Sequence, residues 1–110
     1  MFYLFRYFII SSLLSIALIS DIEGEVKGRI INQQSLPLKN NTVSLASDSL
    51  VVRMTGTNDK GYFKFNKLPK GNYRILIMIT GYEKYTTGFF SLTDAKPSRD
   101  FGTIEIENLK

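Results

Sequence analysis

From residue 21 onward, turn-forming clusters interrupt the chain about every 8–12 residues, with short β-rich stretches between them, which is the spacing of an all-β sandwich. No window repeats apolar residues at helical spacing for three turns. Alternation defines seven strands instead. Glu25 to Asn32 puts Val26, Gly28 and Ile30 on one face, with Lys27 and Arg29 on the other. Thr42 to Ala46 alternates through Val43 and Leu45, and Leu50 to Thr57 aligns Leu50, Val52 and Met54. Tyr62 to Phe65 turns Phe63 and Phe65 inward. Tyr73 to Thr80 is apolar on both faces, which predicts burial on both sides or a covering partner. Tyr85 to Leu92 follows, and Phe101 to Glu107 closes the series with Ile104 and Ile106 on one face.

Asn58-Asp59-Lys60-Gly61 is the strongest turn signal. Asn and Asp side chains hydrogen-bond the backbone of such turns, and Gly supplies positive φ. The strands flanking it are expected to pair as a hairpin. Leu68-Pro69-Lys70-Gly71-Asn72 is a second turn of the Pro-x-Gly kind, and Pro37 lacks the N–H that a central ladder would need.

Residues 1–20 are of another kind. Arg6 is their only charge, and the apolar run from Tyr7 to Ile19 fits a secretory h-region of about 7–15 residues. It falls short of the roughly 20 residues that span a bilayer. Ser15 and Ala17 supply an A-x-A-like cleavage signal, and charges begin at Asp21. The reading is a signal peptide helix over 1–20 that engages the export machinery, followed by one domain over 21–110. An uncleaved anchor and a buried helix are the competing readings. Losing Arg6 takes the formal net charge from +4 to about +3.

The full 110-residue chain holds no Cys and no His. A thiolate nucleophile, an imidazole base and disulfide staples are therefore excluded. The usual ligands of zinc, copper, haem and iron–sulfur groups are missing too. No cofactor or metal is expected.

The turn chemistry and strand order together resemble the carboxypeptidase regulatory-like domain, from about Glu25 to Ile106. The carriers are Gly28, Pro37-Leu38, Val43 and Leu45, then Thr57-Asn58-Asp59-Lys60-Gly61-Tyr62-Phe63, where the family shows Thr-Asp-x-x-Gly-x-Phe. Leu68-Pro69-Lys70-Gly71-Asn72-Tyr73 matches its Leu-Pro-x-Gly-x-Tyr, and Gly81-Tyr82 its Gly-Tyr. Asn58 stands where the family usually has Asp, and Asn41-Thr42 where it usually has Gly-Ala. The resemblance implies a seven-stranded prealbumin-like or Ig-like antiparallel β-sandwich whose motif residues serve turns and core, with no catalytic group among them. Behind an export signal it also resembles the N-terminal periplasmic domain of TonB-dependent receptors and related outer-membrane proteins.

Candidate chemistry is sparse. No two carboxylates face each other across a recognisable cleft, as glycosidase chemistry requires. The Asn58–Gly61 segment lacks the alternating ligands and closing Glu of a calcium loop. Lys60, Lys64, Lys67, Lys70 and Arg74 crowd one expected hairpin region with Tyr62 among them, a candidate surface for an anionic envelope component or a partner barrel. Export argues against nucleic acid. Tyr62, Tyr82 and Tyr85 are candidates for weak sugar stacking, although the chain has no Trp. The expected role is a non-catalytic accessory domain at the periplasm or the periplasmic face of the outer membrane. The alternative is a free-standing exported carbohydrate- or peptide-binding module.

Overall fold

The computed structural model describes residues 23–110. The segment read as a signal peptide lies outside the described residues. Eight strands occur: β1 (Gly24–Ile31), β2 (Thr42–Ser47), β3 (Leu50–Gly56), β4 (Tyr62–Leu68), β5 (Gly71–Ile77), β6 (Tyr85–Thr86), β7 (Phe90–Leu92) and β8 (Ser98–Glu105). They form two sheets, one of three strands in the order β4-β1-β8, the other in the order β3-β2-β5-β6 with β7 also on β5. The sandwich expected from the turn spacing is present, and no helix occurs among the described residues.

Three local expectations change. The stretch from Tyr85 to Leu92 is two short strands, both on the same edge of β5. Thr87 causes the break: its Oγ1 accepts the Ile75 N–H at 2.9 Å while its own N–H donates to the Ile75 carbonyl at 3.0 Å. A side-chain oxygen has replaced a ladder carbonyl there. Second, the Asn58–Gly61 turn does not close a hairpin. β3 pairs with β2 and β4 with β1, so the turn carries the chain from one sheet to the other. Third, one pair is parallel: β8 runs alongside β1, with Glu25 beside Ser98 and Ile31 beside Glu105. Strands joined through most of the chain are free of the hairpin constraint that forces antiparallel pairing.

The inward faces follow the alternation. Val26 and Ile30 of β1, Val43 and Leu45 of β2, Phe63 and Phe65 of β4, and Ile75 and Ile77 of β5 are buried together with Leu92, Ile104 and Ile106. Each such Ile, Leu or Val contributes about 1.5–3 kcal/mol by leaving water. Gly28 is required by close approach, because a Cβ there would lie 2.8 Å from the Phe63 ring. β5 is not buried on both faces: Leu76 is half-buried, and Met78, just beyond the strand, is 69% exposed.

The crossover turn is built around Asn58. Its Oδ1 accepts the N–H groups of Lys60 at 3.0 Å and Tyr62 at 2.9 Å. Gly61 has φ +82°, and its carbonyl accepts the Ile30 N–H at 2.8 Å. A Cβ on Gly61 would stand 2.5 Å from the Ile30 oxygen. Just before the turn, buried Thr57 donates from Oγ1 to the Leu38 carbonyl at 2.6 Å and accepts the Asn41 N–H at 3.0 Å. Arg53 of β3 closes the same side of the sandwich by donating to the carbonyls of Asn66 and Lys67 on β4.

Gly61→Ala combines backbone strain with a clash, and is expected to lose about 1–3 kcal/mol in urea unfolding. Thr57→Val leaves one buried and one part-buried backbone group unpaired, and a loss of about 1–3 kcal/mol is expected by the same measurement. Tyr73 is buried and donates its hydroxyl to the Pro69 carbonyl at 2.6 Å. Burial pushes its phenol above the ordinary value, with the Arg53 guanidinium acting in the opposite sense. The unfolded chain therefore releases this proton first, so stability present below pH ~10 falls as pH rises through the folded-state pKa. In Tyr73→Phe, alkaline thermal melts should lack that component of the decline.

Candidate functional site

The outer face of the three-stranded sheet is concave. Its trough has a volume of about 520 Å³, with Gly28 and Gly102 in the floor and Lys27, Arg29, Tyr62, Lys64 and Asp100 among its walls. Pairing register builds it. Lys27 on the central strand lies between Lys64 and Asp100, and Arg29 lies between Tyr62 and Thr103. Between these two rows β8 is irregular, with Gly102 at φ +66°. Asp100 Oδ1 accepts the Gly102 N–H at 2.8 Å and holds that bend.

Arg29 is the most constrained cation. Its Nε donates to the Lys60 carbonyl at 2.8 Å, and its guanidinium lies 5.4 Å from the centre of the Tyr62 ring. The ring attracts the cation and limits its movement. Lys64 reaches back to Glu25 at 3.3 Å. Three cations and one carboxylate thus line the trough. Such a surface favours an anion over a cation. Among the described residues no cluster of three acidic side chains could hold a metal ion.

The structure disperses the cation cluster read from the sequence. Lys60, Tyr62 and Lys64 belong to the trough or its rim. Lys67 sits at the end of β4 with φ +55°, its carbonyl taken by Arg53. Lys70 pairs with Asp94 in the loop after β7. Arg74 lies on the opposite sheet, 5.2 Å from the Phe89 ring centre. β4 and β5 belong to different sheets, so residues close in sequence point away from one another. Lys27 and Arg29, read only as the outer side of a strand, take the places that Lys67, Lys70 and Arg74 leave. The signal for them was the polar half of the alternation in β1.

The motif residues lie in turns and core. Pro37 bridges to Ile31, and Pro69 gives its carbonyl to Tyr73. Gly71 and Gly81 have φ +156° and +92°. Phe63 is buried edge-on to Phe65, with ring centres 6.2 Å apart. Tyr82 and Tyr85 pack half-buried against the core, whereas Tyr62 is 51% exposed.

A second outer surface differs in character. On the outer side of the five-stranded sheet and its flanking loops, Val51, Met54, Met78 and Phe89 are exposed large apolar side chains. The expected alignment of Leu50, Val52 and Met54 is broken by a register shift opposite Leu45 and Ala46, which pairs Val51 with Ala46 on this side and leaves Val52 lining the other side with Arg53, Leu68 and Tyr73. All of β3 but Thr55 is exposed, and Arg74 is the charged group on this face of β5.

Comparison with solved structures finds the same fold in several bacterial proteins. A streptococcal ancillary pilin matches with TM-score 0.60 at 20% identity, over 80% of this chain and 33% of the pilin. BcpA, the major pilin subunit of Bacillus cereus, matches with TM-score 0.61 at 14% identity, over 79% and 30%. The Klebsiella pneumoniae 5-hydroxyisourate hydrolase matches with TM-score 0.56 at 17% identity, over 77% of this chain and 87% of the enzyme. The chain thus spans about a third of the pilins, and identities this low carry the fold and no activity. A search of curated proteins finds no match. The sequence pattern of one family matches residues 25–104, from the first strand through the last, covering both sheets and the crossover turn. The chain belongs to the carboxypeptidase regulatory-like domain family.

Proposed function

We propose that this chain is a non-catalytic accessory domain of a bacterial cell-envelope protein, standing on the periplasmic side as the N-terminal domain of a TonB-dependent, receptor-like outer-membrane protein. The observation that carries the reading is the apolar outer face of the five-stranded sheet. Val51, Met54, Met78 and Phe89 are exposed there, with Arg74 against the Phe89 ring. Large apolar side chains gathered on one exposed face of a small domain favour contact with other protein. A neighbouring plug or barrel domain would cover it. The family match and the export-like segment at residues 1–20 support the setting. The motif residues, which serve turns and core, support an accessory role over an enzymatic one.

N-terminal sequencing of the exported product, together with the reading frame beyond codon 110, tests the proposal. A product beginning near residue 21 and a plug-and-barrel frame downstream are the expected results. A product retained in the cytosol with Met1 intact, or unrelated downstream frames, counts against it. Met78→Glu, at an exposed position, should leave the unfolding free energy within about 0.5 kcal/mol of wild type while weakening association with the adjoining domain.

A further inference from the structure

We propose that the trough on the three-stranded sheet binds the carboxylate of an acidic glycan, a uronate-containing oligosaccharide. The inference holds whether or not the domain stands before a barrel, because it uses the opposite face from the apolar one.

The hydrogen-bond inventory of the trough sets the sign of the ligand. Arg29 spends only Nε on protein, and its terminal nitrogens have no acceptor among the described residues. The Nε–H bond to the Lys60 carbonyl and the Tyr62 ring 5.4 Å away limit how the guanidinium can turn, and the free donor pair is left for a ligand. Asn58 has committed its Oδ1 to two backbone N–H groups, which leaves its amide hydrogens to give. Asp100 has already used Oδ1 on Gly102. Lys27 makes no ion pair among the described residues. Donors thus outnumber acceptors, and the complementary ligand is an acceptor carrying negative charge.

Strand register adds a second argument. Lys27 and Lys64 are direct cross-strand neighbours on the same face. Like charges placed opposite each other oppose pairing, and a bound carboxylate between them reverses that sign. Glu25 takes up the Lys64 ammonium at 3.3 Å, so of this pair Lys27 is the one without an ion pair among the described residues.

Shape and chemistry favour a saccharide. A volume of about 520 Å³ suits a small ligand rather than a polymer groove. The half-exposed Tyr62 ring stands at the wall, and the Thr103 hydroxyl, the Asn58 amide and the second oxygen of Asp100 suit sugar hydroxyls. An extended acidic peptide would ordinarily add to a sheet edge. At the adjoining edge of β4, the carbonyls of Asn66 and Lys67 are already occupied by Arg53.

Isothermal titration of the chain with trigalacturonate tests this, alongside maltotriose, hexaglutamate and inorganic phosphate. Trigalacturonate should bind saturably and weaken as salt is raised, since the contacts are ionic and partly exposed. Lys27→Gln and Arg29→Lys should each weaken it about tenfold, and Lys70→Gln should not change it. Lys27 is exposed, so its variant keeps the proposal testable if the Arg29 variant unfolds. Equal binding of maltotriose overturns the proposal, as does tighter binding of hexaglutamate or phosphate. So does an absence of trigalacturonate binding at millimolar concentration, or an affinity that Lys27→Gln leaves unchanged.

Discussion

The hydrogen bond from the Ile30 N–H to the Gly61 carbonyl ties the crossover turn to the central strand of the smaller sheet. It fixes where β4 begins against β1, and hence the pairing of Gly28 with Phe63 and Arg29 with Tyr62. A slip of one residue would send Phe63 and Phe65 outward and Tyr62 and Lys64 into the core. Asn58 and Gly61 hold this register from the turn side, and the absence of a Cβ at Gly28 holds it from the core side. The cation stack that shapes the trough depends on the same register. Fold and candidate site therefore rest on one local constraint.

Much of this was legible in the sequence because period-2 alternation reports burial directly. Val26 and Ile30, Val43 and Leu45, Phe63 and Phe65, and Ile104 and Ile106 all sit inside as their spacing demands. The family resemblance, carried by the turn residues, agrees with the match over residues 25–104. What could not be read were relations between distant segments. The Asn58 turn has the chemistry of a hairpin turn, yet whether its flanking strands pair or part is decided by β1 and β2, which lie earlier in the chain. The parallel direction of β8 is set by its fit beside β1, more than sixty residues away. Thr87 reads as an ordinary β-branched strand residue, and only the neighbouring Ile75 N–H makes it a break.

The candidate site was legible in part for the same reason. Clustering in sequence means clustering in space only within one strand or one true hairpin. Lys60, Tyr62 and Lys64 share a strand and its turn, so they remain together. Lys67, Lys70 and Arg74 follow a bend that leads into the other sheet, so they scatter. Their replacements, Lys27 and Arg29, are about thirty residues away in sequence and adjacent only through strand pairing.

A sandwich of this size fills the space between its sheets with side chains, which leaves edges, loops and outer faces for interaction. The edge of β4 is capped by Arg53, and that of β8 is bent at Gly102. Both devices discourage strand addition. The two outer faces remain, and they are unlike: one basic and concave, the other apolar with one arginine. The structural match to a hydrolase does not blur this division, since fold similarity at 17% identity leaves chemistry open and the present sequence has no His to supply an imidazole. An apolar face suits permanent contact with protein, because burying it is favourable wherever a partner fits. A basic, donor-rich trough suits reversible contact with a charged ligand, because its groups are well solvated when empty. That asymmetry underlies both proposals, one face offered to protein and the other to a charged ligand.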